Sequence, residues 1–198
     1  GFAVNGFDPP LPYPSGHFGL VTAFSVFTHL GANWADWLLE IRRVLAAGGW
    51  FVVTFLDESC SMVLSSVPYA ADEVAMTVFG FAEPGMPYVN VLHSPWWLRE
   101  HWGRAFEFER LIPGGTSDPG GPLIPGVQGV AVLRPGTATL TPDDLWLEAP
   151  GERRYAAARR HQLEVLRAEG ERLKAFVAQS ADERSSRRRM SGRWRRRA

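Results

Sequence analysis

HFGLVTAFSV, residues 17–26, and WFVVTFL, residues 50–56, are the two runs on which the fold turns. In the first, Leu20, Val21, Ala23, Phe24 and Val26 form a nearly continuous apolar series, the pattern of a parallel strand covered on both faces. The second is equally apolar and equally strand-sized. The residues between them read as a helix. Asn33 suits the N-cap and Asp36 favours the first turn. Trp34, Trp37, Leu38, Ile41, Val44 and Leu45 then recur at spacings of three and four. Gly48-Gly49 is placed to stop the helix. Strand, helix and strand of these lengths predict a βαβ unit with a right-handed crossover, hence an α/β fold.

Outward from this unit the pattern weakens. Residues 57–92 mix Ser, Pro and Gly with scattered apolar positions, predicting short helices and loops. Ser94-Pro95 opens a helix with a serine N-cap and proline at the first helical position. Phe106–Ile112 and Val127–Leu133 predict two late strands, an antiparallel pair at a sheet edge, joined by a Gly/Pro-rich loop. Thr141-Pro142-Asp143-Asp144 is a helix start, and a charged helix is predicted from about Glu152 to Gln179. Leu163, Leu166, Leu173 and Val177 lie near heptad positions of that helix, with Gly170 interrupting the seam. The division predicted is a main body over 1–135, a helical extension over 136–180 and a disordered Arg-rich tail over 181–198.

Charge is balanced only on average. Residues 184–198 carry eight arginines and no acid, so residues 1–183 hold the other 13 basic and all 21 acidic groups, a net of −8. The tail suits nucleic acid or an anionic membrane, but a solvated extension is the plainer reading. No apolar run reaches the ~18 residues that span a bilayer. Cys60 is the one cysteine, which rules out an intrachain disulfide and suits a reducing, cytoplasmic setting. The five histidines show no metal-ligand spacing, so no metal is expected.

Four pieces in register resemble the class I S-adenosylmethionine-dependent methyltransferases. They are Leu11–Val21 (LPYPSGHFGLV), Ala23–Leu30 (AFSVFTHL), Trp37–Leu45 with Gly48-Gly49 (WLLEIRRVL…GG), and His93–Trp102 (HSPWWLREHW) with Phe106 and Gln128. The resemblance implies part of a Rossmann-like sheet, from the family's strand four onward with the last strands antiparallel, plus a C-terminal helical extension. It implies methyl transfer from S-adenosyl-L-methionine to a small-molecule or sugar acceptor. It also implies cofactor contacts at Asn5 and Gly6 and at Phe24 and Ser25, and acceptor contacts at Tyr88 and His93. His29 is the candidate general base, since an imidazole titrates near neutrality.

There are departures. Gly19 stands where the family has an acid, and Ala47 where it has a proline before the double glycine. The family's Gly-rich loop and ribose-binding acid have no counterpart ahead of Asn5. The resemblance therefore implies weak cofactor binding by these residues alone, with residues 20–24 as an open, aggregation-prone sheet edge. A contrasting expectation is a non-catalytic interaction module that self-associates through residues 152–179 or binds through the basic tail.

Overall fold

The computed structural model describes residues 4–60, 74–80, 89–114 and 128–194, with side chains as far as residue 181. The elements are β1 (Phe18–Ala23), α1 (Trp34–Val44), β2 (Leu45–Phe55), β3 (Met76–Phe79), β4 (Asn90–His93), α2 (Pro95–His101), β5 (Phe106–Ile112), β6 (Gly129–Pro135), α3 (Pro142–Trp146) and α4 (Arg154–Trp194). A four-stranded sheet runs β1-β2-β6-β5, and β3 with β4 forms a second, two-stranded sheet. β1 and β2 are parallel, while β6 is antiparallel to both β2 and β5. The βαβ unit and the late antiparallel pair are thus as the sequence predicts.

β1 differs from its expected double burial. Of its residues only Ala23 is buried, and Leu20 is 56% exposed. The reason is its place at the sheet edge, with a ladder partner on one side only. β2 lies between β1 and β6 and buries Phe51, Val53 and Phe55.

The end of α1 also departs from the prediction. The helix stops at Val44, four residues ahead of Gly48, with Leu45 already extended. The glycines serve the strand instead. Register jumps from Phe18↔Leu45 to Leu20↔Trp50, so residues 46–49 bulge out. Gly48 there takes φ 75°, and a Cβ on Gly49 would lie 3.0 Å from the Ala46 carbonyl oxygen.

Asn33 precedes α1 but its side chain caps nothing. Its amide donates to the Phe7 carbonyl and to Asp8 Oδ1, both at 3.2 Å, and Trp37 Nε1 donates to the same Phe7 carbonyl. Further along, buried Glu40 accepts from the Leu11 N–H and pairs with both nitrogens of the Arg43 fork at 2.6 and 2.8 Å. The N-terminal segment is therefore tied along α1 by side chains. By contrast Ser94 and Thr141 cap α2 and α3 as predicted, Thr141 within a full capping box with Asp144.

The core is aromatic. Phe27 packs on Trp102 at 5.0 Å, and Trp34 meets Trp97 at 5.0 Å and Trp146 at 4.9 Å. Each such edge-to-face pair contributes about 0.5–1.5 kcal/mol beyond its buried area. Leu145, Tyr155 and Ala158 belong to the same cluster, so α3 and the start of α4 are packed into the main core.

Where short helices and loops are predicted, the described residues include the β3–β4 pair. Four residues per strand are too few to register as alternation. α4 seals this pair by side-chain hydrogen bonds. The Gln162 amide accepts from Val78 N–H at 2.8 Å and donates to Val78 C=O at 2.9 Å, as a neighbouring strand would. Two turns on, Glu169 Oε1 accepts from Gly80 N–H. The helix then continues to Trp194, through the stretch where composition predicts disorder. Arginine is a good helix former, and no proline interrupts residues 154–194.

Candidate functional site

The carboxyl ends of β1 and β2 lie side by side, and the crevice beyond parallel strand ends is where open α/β sheets bind ligands. β1 ends at Ala23, and the chain turns at once through Ser25, whose φ of 54° is left-handed. That conformation costs a non-glycine residue on the order of 1 kcal/mol or more and persists only where neighbours impose it. Here the neighbour is β2: the Ser25 N–H donates to Thr54 Oγ1 at 2.8 Å. The Ser25 hydroxyl also meets the Gln128 side chain, whose Nε2 donates to it at 2.9 Å. The turn leaves Phe24 43% exposed, with Val26 exposed beside it. Phe24 and Ser25 are thus brought together, as the sequence predicts. Thr54 and Gln128 belong to this arrangement although the family resemblance does not point to them as site residues. Their signal is a polar residue at the carboxyl end of an otherwise apolar strand, and another just before the last strand.

Asn5 and Gly6 are exposed, and the Asn5 amide donates to the Gly6 carbonyl at 3.1 Å. The adjoining Phe7 carbonyl is held at the N-terminal end of α1, the end reached from β1 through residues 24–33. Topology therefore sets this segment on the same side of the sheet as Phe24, although its hydrogen bond is local. Buried Asp57, just past β2, accepts from Ser59 N–H at 3.0 Å, Ser59 Oγ at 2.6 Å and Gly114 N–H at 2.6 Å. Those bonds pin the loop after β2 to the end of β5.

His29 ends the short 3-10 turn Phe27–His29 that follows the strand. Its Nδ1 lies 2.9 Å from the Val89 carbonyl. A carbonyl only accepts, so Nδ1 donates in this contact.

His93 is not at a pocket surface. It is wholly buried at the end of β4, 5.3 Å from the Trp97 ring and 5.7 Å from Trp102. Burial pushes its pKa down to about 3, so the ring stays neutral. The expected acceptor contact at His93 thus falls on a side chain enclosed in the core, on a strand where Val91 and Leu92 are buried as well. Tyr88 lies outside the described residues. Among the described residues no group of three or more His, Cys, Asp or Glu converges as metal ligands. None of the helices searched there is long and apolar enough to cross a membrane.

Comparison with known proteins bears on the first part of the chain. Residues 4–53, which run from the Asn5 segment through β1 and α1 into β2, match the family model described as a methyltransferase domain. No curated protein matches the chain.

Solved structures similar to it include an S-adenosylmethionine-dependent methyltransferase from Mesorhizobium loti. That likeness has 12% identity and a TM-score of 0.46, covering 63% of this chain and 65% of that one. A putative enzyme of the same description from Listeria monocytogenes gives 9% identity, a TM-score of 0.47 and coverages of 64% and 65%. A protein from Pyrococcus horikoshii OT3 gives 17% identity, a TM-score of 0.44 and coverages of 64% and 56%. The chain thus spans a little over half the length of that last structure.

Proposed function

We propose that this chain takes part in methyl transfer from S-adenosyl-L-methionine to a small-molecule acceptor, with the cofactor lying against the carboxyl ends of β1 and β2. The observation that carries this reading is the left-handed turn at Ser25, held by Thr54 of the adjacent strand, which presents Phe24 and Ser25 at the strand ends. These residues fit one wall of such a site. Phe24 offers a flat apolar face to a base. Ser25 with Gln128 offers hydroxyl and amide groups, and Asn5 and Gly6 border the same side. The bound cofactor supplies an electrophilic methyl group. The protein's part is to hold donor and acceptor in line, which alone can remove much of the barrier. His29, on the turn that follows β1, is the residue assigned to take the acceptor's proton. A reaction in the cytoplasm accords with the lone thiol at Cys60.

Isothermal titration of the chain with S-adenosylhomocysteine tests the reading. One wall predicts a Kd of about 100 µM, or about −5.5 kcal/mol. Phe24→Ala is expected to weaken binding about tenfold. Absence of binding, or binding indifferent to Phe24→Ala, refutes the placement.

Assembly is a second matter, favoured by a separate observation. Leu163, Leu166, Leu173 and Val177 on α4 are all exposed and spaced as a heptad seam. A second copy offers the matching stripe, and self-association through residues 152–179 is the reading it supports.

A further inference from the structure

A cavity of about 230 Å³ lies between α2, β3, the end of α3 and the first turns of α4, with Gly31 of the segment after β1 at its wall. Trp97, Trp146 and Tyr155 supply ring surface to its wall, and Met76, Val78 and Ala158 supply apolar surface. Trp146 is 42% exposed, and the Glu148–Arg159 ion pair, 2.7 Å across, stands with it on the solvent side.

The polar groups that reach the wall are already matched to one another. His101 Nδ1 lies 2.6 Å from the Leu145 carbonyl and must donate to it, which leaves Nε2 to accept from the Tyr155 hydroxyl at 2.8 Å. Gln162 spends both ends of its amide on Val78. Glu148 and Arg159 neutralise each other.

A wall of rings and methyl groups whose inner hydrogen bonds are satisfied gives water few partners there, the charges standing only at the solvent side. It rewards an occupant that is flat, apolar and uncharged. Size narrows the class. Apolar cavities of about 150 Å³ take up benzene, so a volume of 230 Å³ admits one ring or two fused rings. We propose that this cavity is a binding site for an uncharged aromatic molecule of one or two rings, assembled where α4 closes over the β3–β4 pair. The site shares no residue with Phe24, Ser25 or His29, and the proposal does not depend on methyl transfer.

Indole is the probe, measured by saturation-transfer NMR and calorimetry on the full chain. Binding with a Kd below about 1 mM is expected, with cyclohexanol at least fivefold weaker. Ala158→Phe fills the cavity from α4 and should abolish indole binding while leaving S-adenosylhomocysteine titration unchanged. Should that variant fail to fold, Trp146→Ala, at a half-exposed position, is expected to weaken indole at least fivefold. No binding of indole by the natural chain overturns the proposal. So does equal binding by folded Ala158→Phe, by Trp146→Ala, or by cyclohexanol in place of indole.

Discussion

Gly129 begins β6 directly opposite Phe55, and a Cβ there would stand 2.4 Å from the ring's Cζ. Phe55 is wholly buried, so its ring has no easy retreat. Gly129→Ala is expected to cost about 2–3 kcal/mol, read as a lowered urea midpoint. The two buried histidines make a second prediction. His93 titrates at about 3 and His101 at about 4 when folded, against 6.5 for an ordinary imidazole, chiefly because burial penalises the charged ring. The unfolded chain therefore takes the proton first. Stability from this source is complete above pH 6.5 and falls as pH drops through 6.5 towards the folded values. The loss is about 1.4 kcal/mol per pH unit for each ring. Thermal melts between pH 7 and 4.5 should show the decline, and His93→Leu should flatten it. At this scale the sequence is legible where a residue acts on its own neighbours, as Ser94 and Thr141 do in capping. Asn33 misleads because its amide serves a distant segment, and His93 because nothing local says which way a four-residue strand faces.

At the scale of elements, α4 shows what periodicity hides. The leucines that stand out in the sequence lie on its outer face. The inner face is Tyr155, Ala158, His161, Gln162, Val165 and Glu169, small and polar enough to pass for solvent-facing. Its job explains the composition, since a helix laid along a strand edge must answer that edge's N–H and C=O groups. Gln162→Ala leaves both Val78 groups without that partner. A loss of about 1–2 kcal/mol is expected, with faster amide exchange at Val78. Unchanged exchange there would mean the amide contacts carry no weight. β1, α1 and β2 were readable because each is long and regular. The β3–β4 pair was not, because its stability comes from α4, more than 60 residues away.

On the scale of the molecule, the apolar surfaces that face outward among the described residues include the β1 edge at Leu20 and the outer stripe of α4. They make different demands. A strand edge accepts any extended chain, whereas a heptad stripe selects a helix of matching spacing. Sedimentation equilibrium is expected to show a dimer at micromolar concentration that Leu166→Glu with Leu173→Glu converts to monomer. A mass unaffected by the pair of substitutions excludes α4 as the interface. The α/β class and the strand-end location of the candidate site were readable from residues 17–56 alone. The cavity was not, because its walls come from segments about 80 residues apart that only the packed core brings together.

Trp97 and His101 stack with ring centroids 4.3 Å apart. An indole in face contact with an imidazole emits differently once that imidazole gains a proton or a guest enters beside it. The same pair lines the cavity and contains one of the acid-sensitive groups. The molecule therefore carries an intrinsic optical reporter in which occupancy and protonation leave separate marks. Quenching that tracks added guest at constant pH reports the first, and quenching that tracks acid without guest reports the second.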